Sequence, residues 1–422
     1  MTAEIAIINP TAIALAADSV VSVGNSKEYQ SVNKLFRLSV NAPVGIMVYG
    51  DATFMGVPWE LFIKEYRAAR KESKPFDTLH EYAIDFLKFI ASEQRVFGPG
   101  EQDELLEDEI SSYFAYMLNS IKEEVEEHIN THGAIPDDEV DKILAKKIRN
   151  SARVLKSLPL LKTTKRGIAT RVDVVAERVI DQAINRVFPQ GLPKGIGRSS
   201  MLGIAKNVLC KDCRDTSGLV IAGFGQQEMY PHICEVNPQV LLKGILGYAE
   251  TAFSGPDRQG ATIIPFAQRQ TVDAFLGGMD SELTGIITQS LKGVFDEFSE
   301  SVVQEFCKCA PPVSEDRKIA IAKVCKKHSD RLTNGFQKAL MEVRYKRYAN
   351  PILAAVRVLP KDELASMAES LVNLTSLRQR VSLTRETVGG PIDVAIISRG
   401  EGFVWIKRKH YFPEELNRRF YK

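Results

Sequence analysis

Two short apolar runs at the head of the chain, AEIAII and AIALAADS, are joined by the turn signal NPT. Nearly every position in both runs is apolar. A hairpin made of them has to be covered on both faces, which demands a layer on either side of its sheet. A secretory signal would also be apolar and would end in an A-x-A-like segment such as ALAADS. It would need a positive n-region and an unbroken apolar stretch as well. The first lysine is Lys27, and Glu4, Asn9 and Pro10 interrupt the run. The hairpin is therefore the reading, and with it a cytoplasmic protein that keeps Thr2.

Beyond the hairpin, KLFRLS and VGIMVYG continue the strand-rich stretch to about residue 50. FMGVPWELFIKEYRAARKES then has helical periodicity, with Trp59, Phe62, Ile63 and Tyr66 on one face. TLHEYAIDFLKFIASEQ is a second helix of the same kind. Residues 97–200 change character, first acidic and helical, then basic and largely helical. Strands return with GLVIAGFG, MYPHICEVN and ATIIPFA, helices dominate from about 271 to 378, and IDVAIISRG and FVWIKRK finish the chain. The order strand, helix, strand, helix, strand predicts an α+β arrangement of two packed sheets flanked by helical layers.

Composition excludes several classes. A net charge of +2 over 422 residues gives no reason to invoke nucleic acid or a membrane surface. No segment has the length of a membrane-spanning helix. The basic run at 144–167 lacks interleaved aromatics for base stacking, and the acidic run at 101–127 reads as a solvated helix face. Cys210 and Cys213 form C-x-x-C, Cys307 and Cys309 form C-x-C, and His328 follows. The gap between the pairs is far longer than in usual zinc modules, so free thiols and no metal are expected. GFG at 223–225 and GIG at 195–197 do not extend to a dinucleotide fingerprint and read as turns. Phosphate-loop, nucleophile-elbow and H-E-x-x-H sequences are absent. No cofactor is expected.

Chemistry concentrates at the N-terminus. Methionine removal exposes Thr2, because its side chain is small. A free N-terminal threonine is nucleophile and base in one residue. Its hydroxyl attacks a carbonyl, and its own α-amine, with an ordinary pKa near 8, takes the proton. Such a catalyst needs a fixed positive charge nearby, and that charge needs an acidic partner.

TAEIAII, TAIALAADSV, SVNKLFRLS and PVGIMVYGDA resemble proteasome β-subunits and their bacterial HslV-type relatives. That family has a threonine nucleophile, an aspartate 16 residues on in an AADS strand end, and a lysine 32 residues on before an apolar strand. Thr2, Asp18 and Lys34 stand at those separations. The resemblance covers roughly residues 2–95, 216–280 and 361–406, the last through VGGPIDVAIISRG. It implies the four-layer αββα sandwich of N-terminal-nucleophile hydrolases. Residues 2–96 and 201–422 would form the core, with extra helices at about 281–360, and 97–200 a helical insertion. It implies a backbone oxyanion donor at Tyr49 or Gly50, and a substrate pocket shaped by Val21, Val32, Phe36 and Met47, apolar throughout. It also implies a peptide or protein substrate, a homo-oligomeric ring or dimer, and room for an ATPase partner.

The chain departs from the family in its supporting residues. A Gly-Ser-Gly segment is replaced by IIPFAQRQTVDAF, where Gln268 or Gln270 would have to substitute. In TRETVGG, Arg385 and Val388 occupy the places of an expected Asp and Ser, with Glu386 or Thr384 available after a shift. Two readings follow: a threonine peptidase or amidase, and a catalytically weak or inactive scaffold on the same fold.

Overall fold

The computed structural model describes residues 3–23, 27–29, 31–93, 95–96, 98–165, 168–189, 191–192, 194–213, 217–255, 260–309, 314–382, 388–410 and 412. The strands in chain order are β1 (Ala3–Ile8), β2 (Ala12–Ala17), β3 (Val21–Val23), β4 (Lys27–Tyr29), β5 (Leu35–Arg37), β6 (Val44–Gly50), β7 (Thr53–Phe54), β8 (Val57–Pro58), β9 (Lys162–Thr163), β10 (Ser217–Gly223), β11 (His232–Leu242), β12 (Ile245–Ser254), β13 (Thr262–Ala267), β14 (Asp393–Ser398) and β15 (Gly402–Lys407). The helices are α1 (Trp59–Ala69), α2 (Leu79–Ser92), α3 (Pro99–His132), α4 (Asp137–Ser157), α5 (Ile168–Val187), α6 (Arg198–Cys210), α7 (Gln270–Gly277), α8 (Ser281–Cys309), α9 (Glu315–Arg344), α10 (Asn350–Val356) and α11 (Lys361–Arg380). The class is α+β with antiparallel sheets, as the element order predicts.

By internal contacts the chain divides into two compact units. One comprises Met1–Val32, Pro256–Ile396 and Val404–Lys422, the other Asn33–Gly255 and Ile397–Phe403. In the first, β1 lies between β13 and β2, Ile5 opposite Ala16 and Pro265. Both faces of the opening hairpin are buried. One face, through Ile5, Ile7, Ala12, Ala14 and Ala16, packs on Leu364, Ala368 and Val372 of α11. Asn9 shapes the turn: its side-chain oxygen accepts from the N–H groups of Thr11 and Ala12, the Asx geometry behind the NPT signal.

In the second unit a six-stranded sheet runs β5-β6-β10-β11-β12-β9. Helices α1 and α2 cover one face of it. Trp59, Phe62, Ile63 and Tyr66, the face expected from periodicity, are all buried there. Thr78 and Glu81 close a capping box at the start of α2. Helices α3 to α6 pack into their own core, which also takes in Val240, Leu242 and Ile245 from β11 and β12. The GFG segment is where backbones approach. The N–H of Phe224 donates to the Pro43 carbonyl. A Cβ added at Gly225 would lie 2.2 Å from the Asp77 carbonyl oxygen. Because that neighbour is backbone and does not swing away, Gly225→Ala should lower the unfolding free energy by about 3 kcal/mol. Gly203→Ala is the opposite case. It lies inside α6 with nothing within 4 Å of an added Cβ, and should raise stability by roughly 0.5–1 kcal/mol. Urea denaturation of the two variants side by side measures both.

Candidate active site

Thr2 and the segment 383–387, with Thr384, Arg385 and Glu386, lie outside the described residues. Asp18 is described in detail. It follows β2 directly and is 1% exposed. Its Oδ1 accepts the N–H of Ala3 at 3.1 Å, and its Oδ2 accepts the N–H groups of Gly389 at 3.1 Å and Val20 at 3.4 Å. The Asp18 N–H in turn donates to the Ala3 carbonyl. The carboxylate therefore grips the residue bonded to Thr2. Ser19 extends the attachment: its N–H donates to the Gly389 carbonyl and its hydroxyl to that of Pro391. Gly390, at φ +73°, takes a left-handed conformation that suits glycine.

Beside Asp18 lies a cavity of about 270 Å³. Its walls include Ser376, Leu377 and Arg380 of α11 and the Gly389–Gly390 backbone. Sequence reasoning did not single out Ser376 and Arg380. Their four-residue spacing on α11 was the available signal, but nothing in it ties that face to a residue over 350 positions earlier.

Asp18 belongs to the first unit and Lys34 to the second. Lys34 is 3% exposed, rare for a lysine. Its carbonyl accepts the Val48 N–H at 2.9 Å, extending the β5–β6 ladder by one residue. That bond also sorts the two oxyanion candidates. Backbone N–H groups alternate sides along a strand. Since Val48 points its N–H towards β5, Tyr49 points its own towards β10, where Tyr49 faces Gly218 in the ladder. Gly50 points towards the β5 side again, and its φ of +80° marks where the strand turns away. By this alternation the Tyr49 N–H lies on the β10 side and the Gly50 N–H on the β5 side. The Tyr49 hydroxyl donates to Glu235, its ring crossing above Gly218, where a Cβ would collide with it.

The four apolar pocket candidates do not form one wall. Leu35 pairs with Met47 and Phe36 with Ile46, so Phe36 and Met47 project from opposite faces of the sheet. Phe36 is buried with Ile46 and Val48 in the core beneath α1 and α2, which corrects its assignment to the pocket. Met47 is fully buried on the other face, and Val21 and Val32, in the first unit, are half-buried.

Of the cysteine pairs, Cys210 is buried at the end of α6 and Cys213 half-buried after it, while Cys307 lies in the other unit. Cys210, Cys213, Cys234, Cys307 and Cys325 are in no disulfide. Among the described residues, no helix is long and apolar enough to cross a membrane.

No family model matches the chain, and no curated protein does. The solved structures similar to it include a Gly-1 mutant of Anbu from Hyphomicrobium sp. strain MC1, with a TM-score of 0.29 and 9% identity over 100% of this chain and 94% of that one. Anbu, the ancestral beta-subunit, from Yersinia bercovieri has a TM-score of 0.28 and 10% identity over 99% of this chain and 93% of that one. The helical assembly of the Anbu complex from Pseudomonas aeruginosa has a TM-score of 0.28 and 8% identity over 99% and 92%. These findings overturn the HslV-type proteasome assignment. The structures that match carry another name, and likeness at this level supports no functional argument. The physical reason is plain. Separations of 16 and 32 residues follow from a buried hairpin and the strand after it, and do not discriminate among proteins that begin this way.

Proposed function

We propose that the chain is an amide-bond hydrolase whose nucleophile is Thr2, exposed by removal of Met1, with the threonine α-amine as base. The observation that carries this reading is the grip of Asp18 on the Ala3 N–H. A buried carboxylate, a costly group to place, holds the residue bonded to Thr2. In the proposed mechanism Lys34 supplies the positive charge that keeps the amine neutral and favours the alkoxide, Asp18 positions both, and the Gly50 N–H receives the oxyanion. The half-buried Val21 and Val32 suit an apolar side chain beside the cleaved bond of a peptide. The reading goes with a four-layer sandwich, supported by the cover each sheet takes from its own helices, α11 on one and α1 with α2 on the other.

The test is an electrophilic acylating probe followed by intact-mass measurement and peptide mapping. Loss of Met1 and a single adduct on the Thr2 peptide are expected. A retained Met1 with no adduct leaves the non-catalytic scaffold.

The same reading includes self-association. On α8, Val294, Phe298, Val302 and Phe306 form an exposed apolar stripe at four-residue spacing. On α9, Ile319, Val324 and Leu332 are exposed as well. Helix α8 is net acidic and α9 net basic, so a second copy fits with α8 on α9. Light scattering at micromolar concentration should give a dimer or larger species, and a monomer would remove this part of the reading.

A further inference from the structure

Three chemically different ligand groups meet in the second unit, away from the N-terminal chemistry. His80 is the second residue of α2, Cys234 lies in β11 and Glu250 in β12. One imidazole nitrogen, the thiol sulfur and one carboxylate oxygen all lie within 4.8 Å of one another. His80 Nδ1 lies 3.7 Å from Glu250 Oε1. From bond lengths of about 2.0–2.3 Å, ligands of a tetrahedral zinc ion are separated by about 3.3–3.7 Å. The cluster is thus within a small side-chain adjustment of a coordination shell.

We propose that His80, Cys234 and Glu250 bind a borderline-soft divalent cation of the zinc class. The mixed sulfur, nitrogen and oxygen donor set selects that class over magnesium or calcium, which take oxygen alone. Lys162 completes the arrangement. Its ammonium donates to Glu250 Oε2 at 2.6 Å, leaving Oε1 towards His80. Ligating carboxylates are commonly fixed in this way by a bond to the other oxygen. The fold sets up the group: β9 pairs with β12 at Tyr248–Lys162, and β12 pairs with β11 at Phe253–Cys234. Cys234 is fully buried and His80 is partly open to solvent, so the ion would enter from the imidazole side. On binding, the metal–sulfur bond forms, the S–H bond breaks, and the proton leaves to solvent.

The test uses the full chain and Zn²⁺ alone. The purified protein, stripped and reloaded, should retain one zinc per chain through gel filtration, and zinc should raise its Tm. Co²⁺ in its place should give the near-ultraviolet sulfur-to-cobalt absorption. Cys234→Ser should abolish that absorption, and His80→Ala, at the partly exposed position, should weaken zinc binding at least about tenfold with the fold kept. Cys210→Ser/Cys213→Ser should change neither. Absence of zinc from the reloaded wild type overturns the proposal. So does zinc that persists in both His80→Ala and Cys234→Ser, or that leaves with Cys210 and Cys213.

Discussion

The Thr2→Ala chain should hydrolyse an N-acylated apolar peptide at least about 10⁴-fold more slowly than the parent, with its fold and Tm unchanged. The size of the effect follows from the chemistry. In an N-terminal threonine the attacking hydroxyl and the accepting amine belong to one residue, so alanine removes the bond-forming atom outright. A nucleophile is not partly replaceable by its surroundings. What survives is whatever substrate positioning and an oxyanion donor achieve with water. Stability should not follow activity, since Asp18 Oδ1 holds the backbone N–H of Ala3, a group that the substitution leaves in place. Thr2→Ser keeps a hydroxyl and should retain measurable turnover. Unchanged turnover in the alanine variant would end the threonine-nucleophile reading.

How much of this was readable in advance depends on the length scale of each interaction. The buried face of α1 was legible to the residue, because 3.6-residue periodicity is written locally. The opening hairpin was legible because two almost wholly apolar strands have one solution, burial on both sides. Asp18 was singled out through the family resemblance, and its partners were not legible: Gly389 is 371 positions away and joins it only through the tertiary fold. Phe36 was misplaced for a related reason. Apolar character says that a residue is buried, whereas the face it takes is set by register against β6. Strand β9 was missed because two residues carry no pattern, and it exists by pairing with β12. His80, Cys234 and Glu250 were missed for the same cause. Each is alone in its stretch of sequence, and no motif spacing links a helix start to two strands.

Asp18→Asn and Lys34→Ala should both reduce turnover by about 10²–10³, the scale of losing one oriented electrostatic group, yet they should differ in every other readout. Asparagine keeps the shape of aspartate but has one acceptor oxygen. Asp18 Oδ2 accepts from the N–H groups of Gly389 and Val20, and Oδ1 accepts from Ala3. An amide oxygen on the Oδ2 side keeps both of its bonds, and the NH₂ then opposes the Ala3 N–H. Two donors facing each other in a buried site cost about 2–3 kcal/mol, a loss of stability that urea denaturation will register. The disturbance falls on the residue bonded to Thr2, so the nucleophile moves as well. Lys34→Ala acts through charge. If the lysine holds the threonine amine neutral, its removal raises the amine pKa. The amine is then protonated over more of the neutral range, and the activity limb shifts to higher pH. Lys34→Arg keeps the charge but spreads it over a planar fork that does not reproduce a compact ammonium, so it should not restore the rate. A pH–rate profile on the three variants separates these effects. If Lys34→Ala keeps the wild-type rate and profile, the lysine carries no catalytic charge and the scaffold reading takes over.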